Sequence, residues 1–217
     1  ERDPRTYEHI DPAIVGNQRH VVVSDQAGRS NILARFREIG LDIDGNDDKI
    51  GDLVDLVKQR EFSGYAYDGA EASFELLARR KLGQVPDYFK GTSFRVIDER
   101  RWNAKGDLVT QSEATVKLEV DGKPFMAVAE GNGPVNALDA ALRKVLLPVY
   151  PQLADLRLVD YKVRILTPGD ATAAVTRVMI ESADAHGAHW STVGVSPNVI
   201  DASYNALRDS IIYKLYR

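Results

Sequence analysis

Cysteine is absent from this sequence of 217 residues. Its absence excludes disulfide bonds, thiolate metal sites and a thiol nucleophile, and it fits a reducing compartment such as the cytoplasm. No apolar run approaches the ~20 residues of a membrane span, and the polar beginning ERDPR does not resemble a signal peptide. The net charge of −4 provides no basic excess for nucleic acid. The sequence therefore predicts a cytoplasmic protein with neither a membrane nor a nucleic acid as partner.

Catalytic motifs are lacking as well. There is no Walker loop, no G-x-S-x-G elbow and no H-E-x-x-H motif. His186 and His189 have a spacing that a metal could use, but the intervening Gly-Ala and the predicted turn favour an ordinary polar loop. Asp184, close by in sequence, has no identifiable partner. We predict no catalytic residue and no metal site in this chain.

The residues that are present predict an α+β fold in two parts. Residues 1–91 are predicted to be a connector and a small helical subdomain, and residues 92–217 a β-rich domain. Asn46-Asp47-Asp48 and Asp68 are predicted to cap the second and third helices, and Gly40, Gly64 and Gly83 to end the three. The predicted inward faces are Ile32, Phe36 and Ile39; Ile50, Leu53, Val54 and Val57; and Ala70, Phe74, Leu77 and Ala78.

The β-rich part is organised around the stretch EGNGPVNA, residues 130–137. Alternating apolar residues precede it and a helical pattern follows it, so it predicts a strand–helix joint. Gly131 and Gly133 free the backbone to turn, and Pro134 suits the first helical position. Free N–H groups at such a helix start can hold a carboxylate or a phosphate. A helix start without any ligand is the alternative.

A second joint, GVSPNVIDA at residues 194–202, indicates an internal repeat. The helical run 136–142 aligns with 201–207, and each joint follows three strand-like runs. Residues 92–150 and 154–217 are therefore predicted to be two copies of one βββα unit. Ser196 replaces a glycine of the first joint, so the two joints need not be equivalent. The predicted strands are Phe94–Trp102, Ala114–Val120, Phe125–Ala129, Val159–Ile165 with Val159, Tyr161, Val163 and Ile165 on one face, Ala174–Glu181 and Trp190–Val195.

Small three-stranded sheets leave apolar faces and strand edges uncovered unless they pair. We therefore expect the two units to pair with each other, and two chains to pair as well. A cleft between the units is a reasonable place for a ligand. The predicted fold is thus two βββα units of antiparallel sheets and helices that dimerise.

Both joints, together with YEHIDPAIVGN at residues 7–17 and SDQAGRSN at residues 24–31, resemble the C-terminal portion of the 2-isopropylmalate, citramalate and homocitrate synthase family. The resemblance is strongest to the citramalate synthase-like branch. Full-length members resemble acyl-CoA-dependent Claisen-condensing acyltransferases, with a TIM barrel that holds a divalent metal, a helical linker and a regulatory domain. The resemblance implies that this chain, which lacks an initiator Met, is the linker and LeuA dimerisation-type regulatory region without the barrel. It also implies that this region alone is not catalytic and binds no cofactor, the divalent metal being expected in the absent barrel.

The resemblance further implies a homodimer in branched-chain amino-acid biosynthesis, inhibited by isoleucine or leucine bound between regulatory units. The matching positions are Gly131, Gly133, Val135 and Asn136 at the first joint, Leu158, Tyr161, Ile165 and Thr172 along the strand–turn–strand, and Val195, Ser196 and Pro197 at the second joint. The chemistry agrees, because helix N–H groups suit a carboxylate and apolar side chains suit an aliphatic group. Pocket shape decides between the two amino acids by only ~1–3 kcal/mol.

Several alternatives stay open at this point. The chain could be a purely structural dimerisation module, a free-standing amino-acid-binding protein, or a region with residual condensing activity. Family linkers also reach toward a partner's active site, and Tyr7 and His9 are candidates for that role. A surface histidine in a polar connector is the competing interpretation of His9.

Overall fold

The fold is that of a computed structural model, which describes residues 29–41 and 48–217 together with Ile14. Tyr7 and His9, most of the SDQAGRSN stretch and the proposed cap residues Asn46 and Asp47 lie outside the described residues. Their predictions therefore stay predictions.

The N-terminal part forms a helical subdomain. Its helices are α1 (Arg29–Glu38), α2 (Asp48–Phe62) and α3 (Glu71–Lys81), with a 3-10 helix at Tyr67–Gly69. The predicted inward residues are buried, except that Ile39 and Leu77 are only half-buried. Gly40, Gly64 and Gly83 follow the three helices with positive φ, as glycines at helix C-termini do.

The predicted cap at Asp68 is wrong. Asp68 lies in the 3-10 helix, and Ala70 occupies the N-cap position of α3 without any side-chain cap. The tight turn is closed by a hydrogen bond from Ala70 N–H to the Tyr67 carbonyl, 3.2 Å long. It places the Tyr67 ring in the core, where 2% of the residue is exposed. Burial of this aromatic side chain thus overrides the local capping preference.

Two βββα units follow, which confirms the predicted α+β class. The first consists of β1 (Lys90–Trp102), β2 (Leu108–Val120), β3 (Lys123–Gly131) and α4 (Pro134–Leu146); the second of β4 (Arg157–Ile165), β5 (Thr176–Ala183), β6 (His189–Ser196) and α5 (Val199–Tyr216). Each unit has an antiparallel sheet with its strands in sequence order. Asp121 and Gly122 both have positive φ, as a two-residue hairpin turn requires.

A bulge in β4 corrects the predicted face of that strand. The register shifts between Leu158 and Asp160, so Val159 has no cross-strand partner. Leu158 instead pairs with Ser182 and shares a face with Tyr161, which pairs with Ile180. The extra residue reverses the alternation that the sequence pattern assumed.

The inner faces of both sheets share one apolar core with α4 and α5. Helix α4 packs on β2 and β3, and α5 packs on β5 and β6. The outer face of the second sheet is covered too, because Val193 is buried among the side chains of α1–α3. The outer face of the first sheet is open, with Ile97 50% and Met126 67% exposed. The two copies of the unit therefore have different surroundings.

An ion-pair cluster fixes the β5–β6 turn to the end of α5. Lys214 Nζ lies 2.9 Å from Asp184 Oδ2 and 3.1 Å from Asp155 Oδ1. Asp184 Oδ1 also accepts the N–H groups of His186 and Ala188. Hydrogen bonding from Lys214 lowers the pKa of Asp184 to about 2, and it lowers the pKa of Asp155 as well.

This cluster predicts a specific acid dependence of stability. Both carboxyl groups have a lower pKa in the folded than in the unfolded protein, where an aspartate titrates near ~3.9. Their contribution is therefore complete above about pH 5 and is lost as the pH falls toward 2. Between these pH values, the midpoint of thermal unfolding should fall less for Lys214→Met than for the wild type. The variant Lys117→Met, which alters an exposed lysine of β2, should keep the wild-type profile; equal acid losses in all three proteins would contradict the prediction.

Candidate ligand site at the strand–helix joints

The first joint leaves the start of α4 open. Gly133 is the N-cap residue, and no side chain caps the helix. The N–H of Ala137 bonds to the Gly133 carbonyl at 2.9 Å, and Pro134 has no N–H. The Asn136 side chain accepts the N–H of Asn132 at 3.1 Å, which holds the loop in place. The N–H groups of Val135 and Asn136 therefore remain as donors for an anion at the positive end of the helix.

The two glycines of this joint have different roles. Neither has a positive φ. A Cβ on Gly131 would lie 2.4 Å from the backbone nitrogen of Ala137, whereas a Cβ on Gly133 would meet nothing within 4 Å. Gly131 is thus required by the close approach of β3 to α4, and not by the turn that the sequence suggested.

The second joint, in contrast, is closed by its own side chains. Asn198 Oδ1 accepts the N–H groups of Ile200 at 2.8 Å and Asp201 at 3.3 Å. Ser196 Oγ accepts the N–H of Asn198 at 3.1 Å. The N–H groups of Ile200 and Asp201 in the first turn of α5 are therefore already used, which is the non-equivalence that Ser196 led us to expect. Sequence reasoning missed Asn198, although asparagine before a helical pattern is a standard capping signal.

Several predicted residues meet at one end of the second sheet. Ile165 pairs with Thr176, which pairs in turn with Ser196, so the three form one row on the face toward α5. The Tyr161 hydroxyl lies 2.8 Å from Ser203 Oγ in the first turns of α5. Exposed Pro197 follows this row, and exposed Thr172 lies in the connection from β4 to β5. This end of the sheet combines apolar and hydroxyl groups.

Other predicted residues lie elsewhere. Leu158 is seven residues from Ile165, or about 23 Å along the strand. Val195 pairs with Arg177 on the opposite face, and its Cγ1 would lie 3.4 Å from a Cβ on Gly64. No hydrogen bond connects the two joints within residues 29–41 and 48–217. Within one chain, Leu158 and Val195 thus lie apart from the row formed by Ile165, Thr176 and Ser196.

The side of β4 that α5 leaves uncovered carries exposed apolar residues. Leu158, Val163 and Ile165 share the inner face of the sheet, yet 38%, 48% and 57% of these residues are exposed. Strand β4 lies at the edge of its sheet, beyond the strands that α5 covers. Apolar residues on an uncovered edge indicate an interface.

Residues 68–215 match the sequence model of the LeuA allosteric (dimerisation) domain. The chain belongs to this family. The match includes α3, both βββα units and nearly all of α5, so it spans both joints and the exposed side of β4. Family membership confirms the resemblance found in the sequence.

Relatives of this LeuA-domain chain include citramalate synthases and a 2-isopropylmalate synthase. It is 50% identical over 217 residues to an (R)-citramalate synthase of Geobacter sulfurreducens and 48% identical over 216 residues to one of Aquifex aeolicus; each match covers 100% of the chain and 40% of the relative. It is 29% identical over 212 residues to a 2-isopropylmalate synthase of Methylorubrum populi, covering 93% of the chain and 36% of that relative. The higher identities support the citramalate synthase-like branch. The chain spans about 40% of the length of the citramalate synthases.

In the described part of the chain, no group of three or more histidine, aspartate or glutamate residues could hold a metal ion, and none of the helices has the length and apolar character needed to span a membrane. His189 Nδ1 lies 3.0 Å from Glu181 Oε1. Asp184, for which the sequence offered no partner, binds Lys214.

Proposed function

We propose that this chain is the allosteric regulatory and dimerisation region of an acyl-CoA-dependent condensing synthase of the citramalate or 2-isopropylmalate type. Its effector is isoleucine or leucine, bound as feedback inhibitor of branched-chain amino-acid biosynthesis in the cytoplasm. The metal-dependent condensation belongs to the remaining length of the full protein. Family membership and the names of the relatives support this proposal.

The open start of α4 is the observation that carries the effector proposal. An amino-acid carboxylate fits the free N–H groups of Val135 and Asn136, since the helix dipole favours a negative charge there. Its aliphatic side chain needs an apolar wall, which the exposed face of β4 around Ile165 offers. A homodimer that joins the exposed β4 faces supplies the remaining walls of this site.

Contacts between the second sheet and the helical linker support a route for regulation. Arg177 Nε on β5 donates to the Gly64 carbonyl at the end of α2, at 2.5 Å. Val195 packs on the same helical core. An effector at this end of the sheet can inhibit only if it favours one arrangement of the linker over another.

Calorimetry with isoleucine, leucine and valine tests the effector. We expect saturable binding of isoleucine or leucine, and Ile165→Asn should weaken it at least tenfold, because Ile165 belongs to the proposed apolar wall. The matched control is Ile97→Asn on the outer face of the first sheet, which should bind as the wild type does. Absence of binding by all three amino acids would refute the sensor.

The closed second joint favours one alternative, a purely structural dimerisation module. Sedimentation equilibrium should give about twice the chain mass of 24.0 kDa under either proposal. A dimer without amino-acid binding would support the structural module, whereas a monomer would contradict both. Release of free CoA from acetyl-CoA and pyruvate by this chain would contradict its assignment as a non-catalytic region.

A further inference from the structure

A small polar cavity lies where the helical subdomain meets α5 and β6. Its volume is about 160 Å³, and its walls include Arg60 of α2, Arg80 of α3, and Arg208 and Asp209 of α5. None of the predicted effector residues lines it. It is therefore separate from the joints and independent of the effector proposal.

The charge of this cavity is strongly unbalanced. Three arginines line it against one aspartate. Asp209 is already used, because its Oδ1 lies 2.8 Å from Arg80 Nη1 and its Oδ2 accepts the Ser73 hydroxyl at 2.9 Å. Arg60 contacts the Tyr65 hydroxyl and ring, which carry no negative charge. Three arginines and one aspartate give the lining a net charge of +2, which matches the charge of a dianion.

Two arginine nitrogens beside the cavity lack partners. Arg80 Nη2 and Arg208 Nε are buried and make no hydrogen bond within the described residues. Buried charged donors without acceptors are costly, so native structures normally satisfy them. An anion with several acceptor oxygens would satisfy both after a small side-chain adjustment. Arginine forks suit the oxygens of a phosphate group particularly well.

A larger cavity adjoins the same arginine pair. Its volume is about 590 Å³, and Arg80 and Arg208 line it together with Val85, Tyr88 and Ile212. The two cavities therefore share the arginines, with a small polar space on one side and a roomier, partly apolar space on the other. That arrangement suits an organic molecule with a phosphate group at one end.

We propose that Arg60, Arg80 and Arg208 form a binding site for a phosphate group at the junction of the linker helices and the second regulatory unit. The group belongs either to inorganic phosphate or to a phosphate monoester whose organic part occupies the larger cavity. Occupancy stabilises the junction, because the anion bridges α2, α3 and α5.

Thermal unfolding in phosphate and in chloride of equal ionic strength tests this site. At a phosphate concentration well above its Kd we expect the midpoint of the wild-type chain to rise by about 5 °C. Arg208→Met should abolish the rise, and without phosphate it should unfold at or above the wild-type temperature, because a buried N–H donor without an acceptor is removed. The matched control Arg100→Met, on the exposed face of β1, should keep the rise.

Titration calorimetry with inorganic phosphate and glycerol 3-phosphate distinguishes the two sources. Tenfold tighter binding of the ester supports an organic ligand, and equal or weaker binding of the ester supports the free ion. A midpoint that rises equally in chloride, an undiminished rise in Arg208→Met, or an equal rise with the dicarboxylate malonate would overturn the proposal.

Discussion

Gly194→Ala is expected to lower the free energy of unfolding by about 3 kcal/mol. The added Cβ would lie 1.9 Å from the carbonyl oxygen of Ala202 and 2.9 Å from the backbone nitrogen of Ala206. Both atoms belong to the backbone of α5, which Thr192 also holds through a hydrogen bond to the Ala206 carbonyl. The helix must therefore move away from β6. Thermal unfolding should show a midpoint lower by about 6–12 °C.

Gly51→Ala provides a control with the opposite sign. Gly51 lies inside α2, and a Cβ there would meet nothing within 4 Å. Alanine in a helix is favoured over glycine by up to ~1 kcal/mol, so this variant should be slightly stabilised. A loss below about 1 kcal/mol for Gly194→Ala would show that α5 can shift freely on the sheet.

Asp209→Ala is expected to lower the free energy of unfolding by about 3 kcal/mol. Asp209 joins α5 to α3 through Arg80 and Ser73, and Ser73 in turn accepts the N–H of Val193 on β6 at 3.0 Å. The variant removes the acceptor and leaves the partly buried Arg80 guanidinium without its ion pair. Urea unfolding measures the loss.

The matched control for this prediction is Asp201→Ala in the first turn of the same helix. Asp201 interacts with the positive end of α5, a contribution of only about 0.3–1 kcal/mol. Equal losses for the two variants would show that the contact among Asp209, Arg80 and Ser73 does not hold α3 to α5. A loss confined to Asp209→Ala would support it.

Much of the fold follows from local periodicity. Alternation along β2 predicted the burial of Ala114, Val116, Leu118 and Val120, all of which are at most 2% exposed. The spacing in α1 likewise predicted the burial of Ile32 and Phe36. These predictions hold because side-chain direction depends on the regular geometry of one strand or one helix.

The failures come from contacts between distant residues. The face of Val195 depends on pairing with Arg177, and the bulge at Val159 depends on the neighbouring strand. The need for glycine at Gly131 arises from Ala137, which only the folded joint brings close. The positions of Leu158 and Val195, away from the row of Ile165, Thr176 and Ser196, were therefore not predicted.

The different surroundings of the two sheets have a mechanical consequence. A displacement of the second sheet must move the helical subdomain with it, because Val193 and Met179 pack into the apolar core of α1–α3. The outer face of the first sheet is exposed at Ile97 and Met126, so a shift of that sheet is not transmitted to the helices through this face. The two copies of the unit therefore differ in how their outer faces are coupled to the helical subdomain.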